Sequence, residues 1–125
     1  SMIMEKEIIK WEDFNKIDLR VGTIVNIEIF EKAVKPAYKI WVDFGYLGIK
    51  KTSAQIRKNY SKDDLIGQQI IGLINLPKKQ IADINSEFLL LGALNDESDN
   101  VIIIQPNSKV NNGSPIAWIK IYIVK

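Results

Sequence analysis

The most extended regular pattern in the chain has a period of two. Leu19, Val21, Thr23, Val25, Ile27 and Ile29 alternate with Arg20, Gly22, Ile24, Asn26, Glu28 and Phe30. This alternation describes a long, half-buried β-strand, and Gly22 inside it predicts a bulge or sharp bend. A second alternation sets Tyr38, Ile40, Val42 and Phe44 against Lys39, Trp41 and Asp43, after a loop containing Pro36. Gly45 and Gly48 bracket a tight connection to a third short strand ending near Thr52. The segment "AQIRKNY" (54–60) reads as a short helix. Further strands are expected near 68–75, 87–94 and 101–104, and a last one over 116–124. "PNSKVNNGSP" between them is turn chemistry. At the other end, Trp11 and Phe14 lie three apart, which predicts a short amphipathic helix around 10–16. There is no internal repeat, low-complexity tract or linker.

Six or seven short strands, with one small helix between the third and fourth, predict an all-β barrel or sandwich. A long, bent first strand can pair with two sheets, which suits a small closed barrel. The OB-fold, a five-stranded Greek-key barrel that binds oligonucleotides on one face, meets this description. The expected organisation is one domain over 1–125, with an N-terminal helical arm (1–18), a small helix between strands 3 and 4, and a C-terminal extension (115–125) adding one or more strands.

Composition narrows the chemistry. With 125 residues, 46% apolar and 26% charged, the chain has the make-up of a globular domain with a real core. No apolar run approaches the roughly 20 residues of a membrane helix, and "SMIMEKEIIKWEDF" lacks a signal-peptide pattern. A cytoplasmic location without membrane insertion is expected. There is no cysteine and no histidine. That excludes disulfides and thiolate chemistry and removes the commonest general base and metal ligand. No carboxylate cluster has the spacing of a hard-cation site, so neither metal nor cofactor is expected. "GYLGIKKTS" (45–53) superficially resembles a phosphate-binding loop, but two residues separate its glycines instead of four. Ser53 and Ser86 lack a histidine partner, and nothing places Asp43 beside Glu87 as an acid–base pair. The expectation is a non-catalytic protein.

The net charge of +2 is unevenly distributed. Residues 46–82 carry seven basic side chains (Lys50, Lys51, Arg57, Lys58, Lys62, Lys78, Lys79) against Asp63 and Asp64. Residues 83–101 carry Asp83, Glu87, Asp96, Glu97 and Asp99 with no base. This asymmetry is consistent with a polyanion-binding face and equally with two solvated faces of opposite sign.

Several stretches together resemble a known family: "DFNKIDLRVGTIV" (13–25), "AYKIWVDFG" (37–45), "GIKKTSAQIRKNY" (48–60), "IIGLINLPKKQIADINSEFLLLGA" (70–93) and "IIIQPNSKVNNGSPI" (102–116). They are similar to the CsaA-like branch of the EMAP II-like tRNA-binding OB-fold family, over about residues 11–116. "DLRVGTI" is shared by the wider group, including domains appended to aminoacyl-tRNA synthetases. "IKKTSAQI" with "NLPKKQIADINSEFLLLG" is narrower. The resemblance implies an OB-fold core, a homodimer, and binding of tRNA or other structured RNA. It also implies, as an alternative, an export-related chaperone that binds unfolded or preprotein segments through an apolar groove of the dimer.

Carried over residue by residue, the resemblance places Asn75, Lys78, Lys79 and Ser86, with Glu87 beside it, on a loop (75–87) forming one wall of an RNA groove. Asparagine offers donors and acceptors to a base or ribose, and lysines offer point charges to phosphate. The second basic segment adds Lys50, Lys51, Arg57 and Lys58 for phosphates and Ser53 and Gln55 for polar contacts. Tyr60 is either a stacking residue or a core anchor, and Trp41 either a stacking residue or part of a dimer contact. The bland alternative has Asn75 capping a strand end, Ser86 satisfying loop amides, and the lysines solvated. Two departures stand out: Asp83 where relatives have glycine, and Gln80 where arginine is frequent. A carboxylate there repels phosphate, and lysine lacks arginine's fork. Finally, the tail "AWIKIYIVK" is apolar on both faces. Such a strand needs cover on both sides, which predicts a two-fold interface anchored by Trp118 and Tyr122 beside Trp11 and Phe14. The alternative is that the tail wraps its own barrel.

Overall fold

The structure, a computed structural model, describes residues 5–96 and 99–119. A one-turn helix α1 (Trp11–Asn15) opens the chain, with the Asp13 carboxylate accepting the Lys10 N–H at 3.0 Å. Strands β1 (Leu19–Ile29), β2 (Tyr38–Asp43), β3 (Ile49–Ala54), β4 (Gln69–Leu73) and β7 (Leu89–Leu90) form one antiparallel sheet in the order β3-β2-β1-β4-β7. A second small helix, α2 (Lys62–Leu65), lies between β3 and β4. Two hairpins complete the fold: β5 (Lys79–Ile81) with β6 (Ile84–Ser86), and β8 (Gly92–Leu94) with β9 (Val101–Ile103). The sheet is a nearly closed barrel of the OB type. Its last gap, between β3 and β7, is spanned by the Glu87 N–H donating to the Lys51 carbonyl (2.8 Å) and the Thr52 hydroxyl donating to the Phe88 carbonyl (2.7 Å). Among the described residues no helix is long and apolar enough to cross a membrane.

β1 does what a long bent strand was expected to do. Leu19–Thr23 pairs with β4 and Thr23–Ile29 pairs with β2. The bulge, however, is at Val25, where one extra residue slips between Ile24 and Asn26 opposite β2. The slip changes which parity faces inward: Gly22 and Ile24 point to the core before it and Ile27 after it, leaving Val25 and Ile29 exposed. Gly22 serves packing instead. A Cβ there would lie 2.5 Å from Val42 and 2.8 Å from Phe44. Gly72 on β4 plays the same part, with Phe44 and Phe88 at 2.8 and 2.9 Å from where a Cβ would be. Phe44 and Phe88 meet edge to face, centroids 5.0 Å apart, in a core that also buries Ile24, Ile40, Val42, Leu65 and Ile70.

Two other expectations change. The helix expected over 54–60 is a continuation of β3 through Ala54, which pairs with Tyr38, followed by a single turn closed by the Tyr60 N–H on the Ile56 carbonyl. The helix between strands 3 and 4 comes later, at 62–65, where Ser61 and Asp64 form a reciprocal capping box. The strand expected over 87–94 divides at Leu91, which donates its N–H to Ile71 of β4 and accepts from Ile104 beyond β9. It thus hands the chain from one sheet to the next. The strand expected over 116–124 lies largely outside the described residues: Pro115 makes a bridge to Arg20, 116–119 are irregular, and 120–124 fall beyond the described part.

The Phe44 ring depends on the missing side chain at Gly72. Gly72→Ala is expected to cost about 1–3 kcal/mol, the range for overpacking a core, read from urea unfolding. In a Phe44→Leu background the nearer of the two blocking ring edges is gone while Phe88 remains, so the same change should cost less. Strict additivity would show that the ring is not what excludes a side chain at 72.

Candidate nucleic-acid interface

Two chain segments rise over one end of the barrel. One is the β1–β2 loop (30–37). The other is the stretch 74–88, which is not an open loop but contains the β5–β6 hairpin with Ala82 and Asp83 at its turn. A satellite core holds them together: Ile84 of the hairpin is buried against Phe30 and Ala37, with Ala33 packed beside them. Asp83 then reaches across to Lys39 of β2 at 2.9 Å and Lys32 of the loop at 3.9 Å. The Lys39 ammonium also lies 5.1 Å from the Phe30 ring centre. These cations, led by the Lys39 hydrogen bond, hold the Asp83 carboxyl below its ordinary range.

Beside this bridge runs a surface depression of about 620 Å³, lined by Lys32, Lys35, Ser53, Gln55 and Ile81 among others. It adjoins a second of about 600 Å³ lined by Lys35, Pro36, Gln55, Arg57, Lys58 and Asp99. Ser53, Gln55, Arg57 and Lys58 of the expected set therefore gather along one groove. Arg57 sits with its guanidinium carbon 5.8 Å from the Tyr38 ring centre, which orients a planar cation toward solvent. Tyr60 is a core anchor: its hydroxyl accepts the Ile103 N–H and its carbonyl accepts the Tyr38 hydroxyl. Trp41 is half-buried on β2, between Asn26 of β1 and Lys51 of β3.

The remaining expected contacts stand apart from this groove or are engaged elsewhere. Glu87 bonds the Lys51 N–H at 3.1 Å and pairs with Lys78 at 3.5 Å. Ser86 is 8% exposed, with its hydroxyl 2.8 Å from that of Thr52, so it helps close the barrel. The Asn75 amide is used at both ends, accepting from Asp18 N–H (2.9 Å) and donating to the Lys16 carbonyl (2.6 Å), and so ties down the N-terminal arm. Lys79 is exposed on β5. Lys50 lies on the opposite face of β3 from Lys51 and Ser53. The charge asymmetry along the sequence is partly cancelled in space, since Glu87, Asp83 and Asp99 each meet a lysine.

Sequence reasoning missed Lys32, Lys35 and Lys39. The signal available was topological: in an OB-fold the loop between the first two strands and the face of strands 2 and 3 bound the ligand groove, and Lys39 pairs opposite Ser53. It also missed the role of "DLRVGT". Arg20 donates to Asp18 (2.6 Å), to the Tyr46 hydroxyl (2.9 Å) and to the Gly113 carbonyl (3.0 Å), and Asp18 first, then Tyr46, raise its pKa further. Thr23 and Gln69 both bind Asn112, and Val21 exchanges backbone bonds with Gly113 and Ser114. The motif fastens "VNNGSPI" along β1, away from the groove. At the arm, Trp11 and Trp118 stack obliquely, centroids 6.1 Å apart, with Ile9 and Phe14 beside them. Tyr122 lies outside the described residues.

Residues 19–115 match the family model described as "Putative tRNA binding domain". The chain belongs to this family. Its tRNA-binding domain is also similar in structure to the chaperone CsaA of Bacillus anthracis (TM-score 0.85, 44% identity, covering 89% of this chain and all of that one). The CsaA chaperone protein of Picrophilus torridus gives a TM-score of 0.81 at 45% identity, covering 88% of this chain and all of that one. Among sequences, the methionine–tRNA ligase of Thermococcus onnurineus is 38% identical over 110 residues, 88% of this chain and 14% of that protein. The chain thus spans about one seventh of such a ligase's length. The resemblance to CsaA and the barrel architecture both stand.

The hairpin turn that places Asp83 carries a local strain. Ala82 has φ of 50°, a left-handed conformation that costs a side chain about 1–2 kcal/mol and glycine almost nothing. Ala82→Gly is expected to raise stability by about 0.5–1 kcal/mol, read as a higher urea midpoint. A lower midpoint would mean that the turn relaxes to another conformation in solution.

Proposed function

We propose that this chain is a non-catalytic tRNA-binding module that holds RNA in a groove running from between the β1–β2 loop and the β5–β6 hairpin past Gln55 to Arg57 and Lys58. The observation that carries this is the convergence of Lys35, Gln55, Arg57 and Lys58 on one open channel, in a chain of the tRNA-binding domain family. Lysines there neutralise phosphates and release counterions. Arg57, backed by Tyr38, offers a flat cation for stacking on a base or forking onto a phosphate. Gln55 and Ser53 supply hydrogen bonds to base edges or the ribose 2′-hydroxyl. No acid, base or nucleophile is needed for this work, and a cytoplasmic setting follows from the partner. An export-related chaperone role has support in the name given to the CsaA structures. The cationic lining of the groove favours a polyanion over an unfolded apolar segment.

Filter binding of unfractionated tRNA at graded salt tests the reading. Arg57→Gln with Lys35→Gln is expected to weaken binding and to lower the slope of log K against log salt by about one for each phosphate no longer neutralised. Retention of full affinity and slope by the folded double variant would falsify the groove assignment.

The aromatic cluster at the arm supports a second element of the proposal, a homodimer. Trp11 is 77% exposed, Ile9 is mostly open, and Phe14 and Trp118 around it are partly exposed. Contiguous apolar surface of this kind is characteristic of an interface. Trp11→Glu is expected to convert a dimer to monomer in sedimentation velocity without lowering the melting temperature of the barrel. A dimer that survives this change places the interface elsewhere.

A further inference from the structure

We propose that Lys39 and Lys32 form a phosphate subsite of the groove, and that in the RNA-free protein Asp83 occupies it as an internal stand-in for the phosphate; this rests on the RNA-binding reading above. Two cations from different elements, a strand and a loop, converge on the two oxygens of one carboxylate, Lys39 on Oδ1 and Lys32 on Oδ2. An RNA phosphate offers the same pair of anionic oxygens to the same donors. Lys39 is positioned for this before any ligand arrives. Its side chain is only 18% exposed, it stands on the face of β2 opposite Ser53, and the Phe30 ring supports its ammonium. The subsite therefore continues the channel that Lys32 and Ser53 already line.

The carboxylate is free to leave. The hairpin is held in place by Ile84, buried against Phe30 and Ala37, not by the ion pair at its tip. Asp83 itself is 38% exposed at a turn, so a side-chain rotation releases it to water while the backbone stays still. Ion pairs this exposed contribute little to folding. A phosphate in a polyanion competes well for the same lysines, because its binding releases condensed counterions. An isolated small anion has no such advantage. Asp83 thus acts as a selectivity filter. It lowers affinity for all anions, and only a strand that also engages neighbouring cations such as Arg57 displaces it.

Binding of unfractionated tRNA to wild type, Asp83→Asn, Lys39→Gln, the double variant and Arg57→Gln, each checked by thermal melting, decides the matter. Asp83→Asn is expected to tighten binding about three- to tenfold at low salt, with the gain shrinking as salt rises. Lys39→Gln should weaken binding, and in its background Asp83→Asn should gain less than about twofold, because the cation that the carboxylate masks is gone. If Asp83→Asn does not fold, Asp83→Ser, which suits the same turn, replaces it. Unchanged or weaker binding by the folded Asp83 variant, while wild type binds and Arg57→Gln binds less, overturns the subsite and leaves the RNA-binding reading intact. A gain that persists in full without Lys39 also overturns the subsite. Failure of the folded wild type to retain tRNA at low salt overturns both.

Discussion

Everything in this fold depends on how one strand satisfies its backbone. β1 runs for eleven residues, and each of its two edges has N–H and C=O groups that must find partners once buried. The first half gives one edge to β4 and the other to the segment 113–116. The second half gives an edge to β2. The change of partner occurs around Thr23 and Ile24, where β2 and β4 are both engaged. The bulge at Val25 follows at once, bending the strand where its pairing passes from β4 to β2. A straight strand would leave the sheet open, so the bend is what lets it curl into a barrel. It also explains the two glycines. Where the sheets approach closely at the bend, there is room for the Phe44 ring only because Gly22 and Gly72 have no side chains.

Closure of the barrel has a consequence for the groove. Between β3 and β7 there is no continuous ladder. The gap is spanned by hydroxyls, one carboxylate and one backbone bond: Thr52 with Ser86 and the Phe88 carbonyl, and Glu87 with the Lys51 N–H through its side chain and with the Lys51 carbonyl through its own N–H. Ser86 and Glu87 lead out of the β5–β6 hairpin. The hairpin is therefore fixed at its base by the barrel seam and near its tip by Ile84. The stretch 75–90 carries lysines at one end and Ser-Glu at the other because the two ends do different work. Ser86 and Glu87 close the seam, Lys78 balances Glu87, and the turn between them faces the cations of the neighbouring loop and strand.

Much of this architecture was legible in the chain. The period of two located β1 and β2, and a long strand with an interior glycine pointed to a barrel strand shared by two sheets. The bulge position was not legible, because Val25 and Gly22 both fit the alternation and only the register against β2 decides between them. The segment 54–60 reads as a short helix, and Ile56 and Tyr60 in it are four apart. In the fold that spacing anchors a single turn, while Ala54 remains in the ladder with Tyr38. The short strands of the β5–β6 hairpin were hidden by an Ala-Asp turn, which lacks the glycine that usually marks such a connection. For the groove, the residue types were readable and their company was not. Lys50 and Lys51 are adjacent in sequence and so point to opposite faces of β3. Lys32, Lys35 and Lys39 come beside Gln55 through the pairing of β2 with β3, which sets Lys39 opposite Ser53.

The cations of the groove share a feature that bears on how it recognises a ligand. Lysine and arginine side chains on an open surface lose considerable rotamer freedom when they bind. Here Lys39 is backed by Phe30 and Arg57 by Tyr38, two aromatic residues that are themselves buried in the satellite and main cores. Each charge is thus positioned by a ring that the fold needs for other reasons. The ordering entropy is met during folding and not at the moment of binding, which is the physical content of preorganisation. Lys78 and Lys79, on exposed positions of the hairpin arm, have no such support. Their attraction to a polyanion is long-ranged and screened by salt, so in the proposed RNA-binding mode they would draw RNA in, whereas the ring-backed pair would fix where a phosphate and a base come to rest. The division follows from the fold itself: β2 carries Tyr38 inward and Lys39 outward by its alternation, so the strand that builds the core also aims the groove.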